Sequence, residues 1–192
     1  SLTNQADLAD KSALRMAEVI KAVNETHVAK SLPEIGIGIG INTGMMTVGD
    51  MGSPVRKAYT VMGDAVNLGS RLEGITKDYG VGVVVGETTR ARVGDVTFRE
   101  LDKVKVKGKD DAVTIYEPLG LTETLPAAIL EELKLWQNAL RLYRSQDWEQ
   151  AELLLYNLMQ RSPDCRFYQI YTERIIALRS NPPTQLWDGV TV

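Results

Sequence analysis

Two periodicities alternate along the first two thirds of the chain. In the stretch 35–42, Ile35, Ile37, Ile39 and Ile41 alternate with Gly36, Gly38, Gly40 and Asn42. Period two predicts a strand with one isoleucine face and one almost bare face. Glycine weakens a strand, so a run of it calls for close approach of another backbone or of a ligand. Upstream, Ala13, Met16, Ala17, Ile20 and Val23 recur at helical spacing and predict an amphipathic helix over about 9–25. Downstream, 45–48 reads as a second short strand and 49–54 as turn chemistry.

The centre of the chain is 56–73, RKAYTVMGDAVNLGSRLE. It predicts a strand over 58–62, a turn at Gly63 and a helix ending near Gly80. Asp64 is placed to cap that helix by accepting first-turn amides. Ala65, Leu68, Leu72 and Ile75 fall on one apolar face, whereas Asn67 and Arg71, four apart, share another. A neutral hydrogen-bonding group beside a fixed cation, one turn into a helix, suits an anionic ligand. Next come an apolar run at 81–85, a short helix over 87–93, strands at 97–101 and 104–106, a turn at 107–109 and a last strand over 112–116. Alternating strands and helices put this part in the α/β or α+β class.

The pattern changes at Pro118. From about 125 the apolar positions keep only helical spacing: Ile129, Leu133, Trp136, Leu140 and Tyr143, then Ala151, Leu154, Leu155 and Leu158, then Phe167, Tyr171, Ile175 and Leu178. Asp147 and Gln150 form a plausible start for the second helix. The helix pair over 136–163 is similar to a single tetratricopeptide-type hairpin, and one repeat does not make a solenoid. The aromatic residues fall on core spacing, so packing explains them.

Composition narrows the rest. The 192 residues allow one or two domains, and 44% apolar with 24% charged residues is that of a water-soluble protein. A net charge of −3 gives no general attraction to nucleic acid or to an anionic membrane. Cys165 is the single cysteine and His27 the single histidine, so neither a disulfide framework nor a Cys/His metal site is expected. No stretch approaches a membrane span. Two phosphate-loop templates fail: the glycine run lacks the GxGxxG spacing, and the 44–49 stretch is followed by Asp50 where a Walker loop needs Lys.

Four motifs occur in one order: GIGINTG, VGDMGS, YTVMGDAVNLGSRLE and VKGK. Together they resemble the class III nucleotidyl cyclase catalytic domain, shared by adenylate and guanylate cyclases, over about 9–118. The resemblance implies an α+β fold: a partial ferredoxin-like domain over 1–120, followed by a small all-α, tetratricopeptide-like extension over 121–192. That extension is similar to the one that follows the domain in bacterial membrane-sensor cyclases.

The resemblance also implies roles. Asn67 matches the ribose-orienting asparagine, and Arg71 the arginine that stabilises charge on the α-phosphate. Lys107 matches the lysine that reaches the terminal phosphates, although Lys103, Lys105, Lys107 and Lys109 also alternate as solubilising charges on an edge strand would. Thr60 matches a purine-reading position where adenylate cyclases carry Asp or Thr. The expected substrate is therefore ATP and the product cyclic AMP.

The family uses two Mg²⁺ or Mn²⁺ ions held by two aspartates, in motifs upstream of the first helix here. Neither motif is present; Asp7 and Asp10 lie in helical context, and Asp50 and Asp64 match turn and cap positions. No metal ligand is therefore assigned, and this chain alone is expected to be inactive. Family homodimers build each site between subunits, and the exposed glycine face and the missing first strands add to the expectation of self-association. A membrane is expected only through upstream segments of a parent protein, with this part cytoplasmic. Two further readings remain open: a cyclase-like pseudoenzyme and a protein-interaction module.

Overall fold

The computed structural model describes residues 4–53, 56–105, 111–183, 187 and 189–191. The chain opens with α1 (Gln5–Ala29). This helix exceeds its periodic core at both ends, so His27 lies in its last turn, with Nδ1 2.8 Å from the Pro33 carbonyl oxygen, and not past the helix end. Ala13 is fully buried against Val83 and Val85. Met16, on the same periodic set, is exposed.

β1 (Ile39–Ile41) is only the last part of the alternating stretch. β2 (Thr47–Ser53) and β3 (Arg56–Met62) then form an antiparallel ribbon separate from the main sheet. The 49–53 stretch, expected as a turn, belongs to β2. Gly49, Asp50 and Met51 stand in register with Thr60, Tyr59 and Ala58, and continuous ladder pairing prevails over their local turn preference. From β3 the chain enters α2 (Asp64–Tyr79), which ends at Gly80 in the left-handed conformation. β4 (Val83–Gly86) follows, buried throughout as its unbroken apolar run predicts. After the single-turn α3 (Glu87–Arg90) come β5 (Val96–Val104) and β6 (Val113–Leu121). The strand expected at 97–101 runs on to Val104 as β5, while of the strand expected at 104–106 Lys105 lies beyond β5 and residue 106 lies outside the described residues, as does the turn expected at 107–109; the last strand continues through Pro118.

Three helices complete the fold: α4 (Ala127–Arg144), α5 (Trp148–Arg161) and α6 (Arg166–Ser180). As expected, Asp147 caps α5, its side chain accepting from the Gln150 amide at 3.3 Å. A short β7 (Val190–Thr191) ends the described chain. The main sheet has the order β1-β4-β6-β5-β7; β1 is parallel to β4, β7 is parallel to β5, and β6 is antiparallel to both its neighbours.

The bare face of the glycine strand is not open. A Cβ added to Gly38 would lie 2.3 Å from Thr76 Oγ1, and one added to Gly40 would lie 2.3 Å from the Glu73 amide nitrogen. α2 occupies that face, with the Thr76 side chain against Gly38 and helix backbone against Gly40, and the self-association expected from an open glycine face loses that support.

One apolar cluster continues from Leu68 and Leu72 of α2 through Val84, Leu101 and Ile115 of the sheet to Trp136, Phe167, Tyr168 and Tyr171 of the helical part. Trp136 is fully buried and meets the rings of Phe167 and Tyr171 edge-on at 4.5 and 4.8 Å. Truncating such a side chain to Ala costs about 3–5 kcal/mol. The helical residues 127–180 are thus built on the sheet, although the chain composition separates the two parts.

Candidate functional site

The junction of β3 and α2 depends on Gly63. Its φ of 148° lies in the region that favours glycine, and a Cβ there would press to 3.2 Å on the Met45 carbonyl oxygen. Gly63, not Asp64, is the N-cap residue, and no side chain caps the helix. Asp64 is the first helical residue. Its carboxylate still adds favourable charge near the positive end of the helix dipole.

A second fastening comes from the loop after β1. Asn42 Nδ2 donates to the Ala65 carbonyl oxygen at 2.9 Å and so holds the first turn of α2. Thr43 Oγ1 lies 2.9 Å from Thr89 Oγ1 and ties the same loop to α3. In the sequence, Asn42 reads only as part of the bare strand face. The signal available was its place: a polar residue at the end of an alternating strand, where local backbone groups need partners.

On this support the helix presents Asn67 and Arg71 to solvent on one face, while Leu68 and Leu72 are buried on the other. Thr60 is exposed on β3, opposite Gly49. Three of the four sequence-derived site residues therefore sit on two adjoining elements, both leaving the Gly63 junction. The fourth, Lys107, lies outside the described residues; β5, which leads towards it, ends at Val104.

The arrangement is an open surface. Clefts of about 670 and 620 Å³ run along α1, lined by residues such as Lys11, Ala17, Lys21, Asn24 and Ile37, away from Thr60, Asn67 and Arg71. A fixed planar cation and an amide on an open face can grip a phosphate and an adjacent hydroxyl, but they do not enclose a ligand. On the adjoining β2–β3 ribbon, Val48, Tyr59 and Val61 are 50%, 75% and 41% exposed, and Met62 is 58% exposed. Register places Val48 opposite Val61 and Asp50 opposite Tyr59, so Val48, Tyr59 and Val61 share one face of the ribbon with Asp50, and Met62 lies on the other. A lone two-stranded ribbon is marginally stable in water.

Divalent metals do not fit this set of groups. Among the described residues, no three His, Cys, Asp or Glu side chains come together as a metal site. Asp50 is on the ribbon and Asp64 starts α2. Asp10 is fully buried at the α1–sheet contact, where burial and the neighbouring Asp7 carboxylate push its pKa up to about 6. Among the described residues, no helix is long and apolar enough to cross a membrane.

Residues 2–117 match the adenylate and guanylate cyclase catalytic domain family. The chain belongs to that family. It is similar to adenylate cyclase 1 of Rhizobium meliloti (strain 1021), with 41% identity over 64% of this chain and 19% of the relative. It is likewise similar to an adenylate cyclase of Anabaena cylindrica, with 39% identity over 58% of this chain and 24% of the relative. The chain thus spans a quarter or less of the length of these two relatives. Among solved structures it is similar to the adenylyl cyclase CyaB from P. aeruginosa, with TM-score 0.57 and 29% identity over 66% of this chain and 64% of that one. The guanylyl cyclase Cya2 gives TM-score 0.52 and 33% identity over 62% of each chain. The α+β fold expected from the sequence is the fold of these neighbours.

Proposed function

We propose that this chain is the ribose- and phosphate-binding part of an adenylate cyclase that forms cyclic AMP and pyrophosphate from ATP in signal transduction. The observation that carries the reading is the shared face of Asn67 and Arg71, exposed on a helix whose start is fastened by Gly63 and Asn42.

In this reading the ribose 3′-oxygen attacks the α-phosphorus in line. One phosphorus–oxygen bond forms, the bond to pyrophosphate breaks, and the hydroxyl proton is released. Asn67 orients the ribose. Arg71 places its planar guanidinium against the charge that develops on the α-phosphate oxygens. Thr60 contacts the purine edge and favours adenine, and Lys107 draws on the terminal phosphates. Positioning and charge stabilisation carry most of the acceleration in phosphoryl chemistry of this kind. Family metals bring charge neutralisation and activation of the hydroxyl when bound. The residues described here supply no site for them, so the metal carboxylates come from elsewhere in the parent protein or its partner subunit.

The site is completed in a homodimer, with the ribbon face as part of the contact. The parent protein holds this domain at the cytoplasmic side of a membrane, and the 192-residue chain alone is inactive. The test is cyclic AMP and cyclic GMP output with Mn²⁺ from the chain extended upstream, beside its Asn67→Ala and Arg71→Ala variants. Cyclic AMP from the wild type, cut about 100-fold by either change, is the expected result for a lost transition-state contact. An extended wild type that makes neither product would overturn the reading. Cyclic AMP from the 192-residue chain itself would overturn the claim of inactivity.

A further inference from the structure

Four consecutive residues of β5 are each bound by the helical part. Arg99 Nη1 donates to Tyr168 Oη at 2.8 Å. The Glu100 carbonyl oxygen accepts from Trp136 Nε1 at 2.7 Å, and the Leu101 carbonyl oxygen accepts from Tyr171 Oη at 2.7 Å. Asp102 Oδ2 accepts from Arg174 Nη1 at 2.6 Å. The pairing register explains why the two carbonyls take side-chain donors. β5 and β6 slip by one residue between Glu100 and Asp102, which makes Leu101 a bulge, and β7 pairs only with Lys103 and Val104. Side chains of α4 and α6 satisfy buried carbonyls of a strand edge there.

The Asp102 site reaches a third element. Tyr79 Oη, in the last turn of α2, donates to the same Asp102 Oδ2 at 2.5 Å and accepts from Arg174 Nη2 at 2.9 Å. Asp102 is fully buried, and Tyr79 is 5% exposed. Burial and the Asp102 carboxylate hold the Tyr79 phenol far above its usual range, so it remains a donor. The next residue, Gly80, sits against Arg166 of α6, where an added Cβ would lie 3.0 Å from the Arg166 Cβ. Three elements therefore meet at one carboxylate: α2, whose opposite half bears Asn67 and Arg71; β5, which leads to Lys107; and α6.

We propose that Tyr79, Asp102 and Arg174 are positioning residues through which the helical part sets the orientation of α2, and with it Asn67 and Arg71, against β5. α2 is a 16-residue helix. Arg71 lies eight residues from Tyr79, about 12 Å along the axis, so a small displacement of the held end moves the phosphate face. A displacement of α6 by a partner or by a neighbouring domain is thereby transmitted to the nucleotide site. This rests on the reading of Asn67 and Arg71 as that site.

Two variants separate the idea from simple destabilisation. Tyr79→Phe keeps the ring packing and the Asp102–Arg174 pair while detaching α2. Arg174→Met detaches α6. Arg179→Met, which breaks an ion pair within the helical part (to Glu152), is the control. Hydrogen exchange on the 192-residue chain reads α2 directly. Amides in the last two turns of α2 should exchange about tenfold faster in Tyr79→Phe and in Arg174→Met, and at the wild-type rate in Arg179→Met. In the upstream-extended protein, both variants should lower kcat about tenfold with little change in KM for ATP.

Unchanged α2 exchange in Tyr79→Phe, or faster exchange with an unchanged kcat, would overturn the proposal. Arg174→Met unfolding the chain would not rescue it, because Tyr79→Phe leaves the ion pair in place. An extended wild type without any product would overturn the cyclase reading and the catalytic half of this proposal together. The exchange measurement, which needs no turnover, would still show whether the carboxylate holds α2.

Discussion

Gly40 runs so close beneath α2 that a Cβ on it would lie 2.2 Å from the Gly69 carbonyl oxygen. The obstacle is helix backbone, which cannot rotate aside as a side chain can. Gly36, four residues earlier in the same alternating stretch, has nothing within 4 Å of the same position. Gly40→Ala should therefore destabilise the fold by about 3 kcal/mol, at the upper end of overpacking costs. Gly36→Ala should lie between no change and ~1 kcal/mol of stabilisation, from the lower entropy of its unfolded chain. Urea unfolding of the two variants decides. Equal midpoints would show that the α2 contact does not set the glycine requirement.

The β2–β3 ribbon makes a prediction about assembly. Val48, Tyr59 and Val61 are exposed, and the ribbon is not part of the main sheet. Burying such a face in a second copy removes apolar surface from water at roughly 25 cal/mol per Å². Val61→Asp replaces an apolar side chain of that face by a charge near Asp50 and should shift a dimer to monomer in sedimentation velocity, with the far-UV spectrum unchanged. Dimer retained by the variant at micromolar concentration would place the contact elsewhere.

Much of this architecture is written locally. The spacing of Leu68 and Leu72 shows the buried side of α2, and the same spacing leaves Asn67 and Arg71 outside. The 127–180 helices follow from Leu133, Trp136, Tyr143, Phe167 and Tyr171 in the same way. What escapes local reading is partner choice. Gly38 and Gly40 show that something approaches, but not that it is α2. Gly49 and Gly52 read as turn residues until their pairing with β3 is known. Asp102, flanked by Leu101 and Lys103 on a strand, gives no sign that Tyr79 and Arg174 converge on it across 23 and 72 residues of sequence. Long-range polar contacts depend on topology, which periodicity does not encode.

Arg99 offers a test of the junction between sheet and helices. It is 8% exposed, and its Nε and Nη2 donate to Glu117 Oε2 at 2.9 and 2.5 Å. Glu132 Oε1, which accepts from Tyr168 Oη, lies 3.8 Å from Arg99 Nη1. Glu117→Leu removes the nearer carboxylate and leaves the guanidinium buried with the more distant one. The expected loss is about 3 kcal/mol, at the lower end for breaking a buried pair because Glu132 remains. The double variant Arg99→Met/Glu117→Leu should recover much of that loss, since no unpaired charge is then left inside. A double variant no more stable than Glu117→Leu would mean that the cost is packing and not charge.

Asp10 is the group whose ionisation should show in the pH dependence. It is fully buried, and among the described residues neither carboxylate oxygen has a hydrogen-bond partner. Burial first, and the Asp7 carboxylate second, raise its pKa from 3.8 to about 6 in the folded chain. Below the unfolded value both states carry the proton, and the ionisation of Asp10 costs no stability. As pH rises from 3.8 towards 6 the unfolded state ionises first, so stability falls with increasing pH. Above about 6 the folded state is also ionised, and the loss levels off at up to about 3 kcal/mol. Asp10→Asn keeps the shape and removes the charge. Its urea midpoint should equal the wild type near pH 4 and exceed it at pH 7.5. A difference that does not change between those two pH values would show that Asp10 is not a buried titrating carboxyl, and would point instead to solvent or a partner group reaching it at the α1–sheet contact.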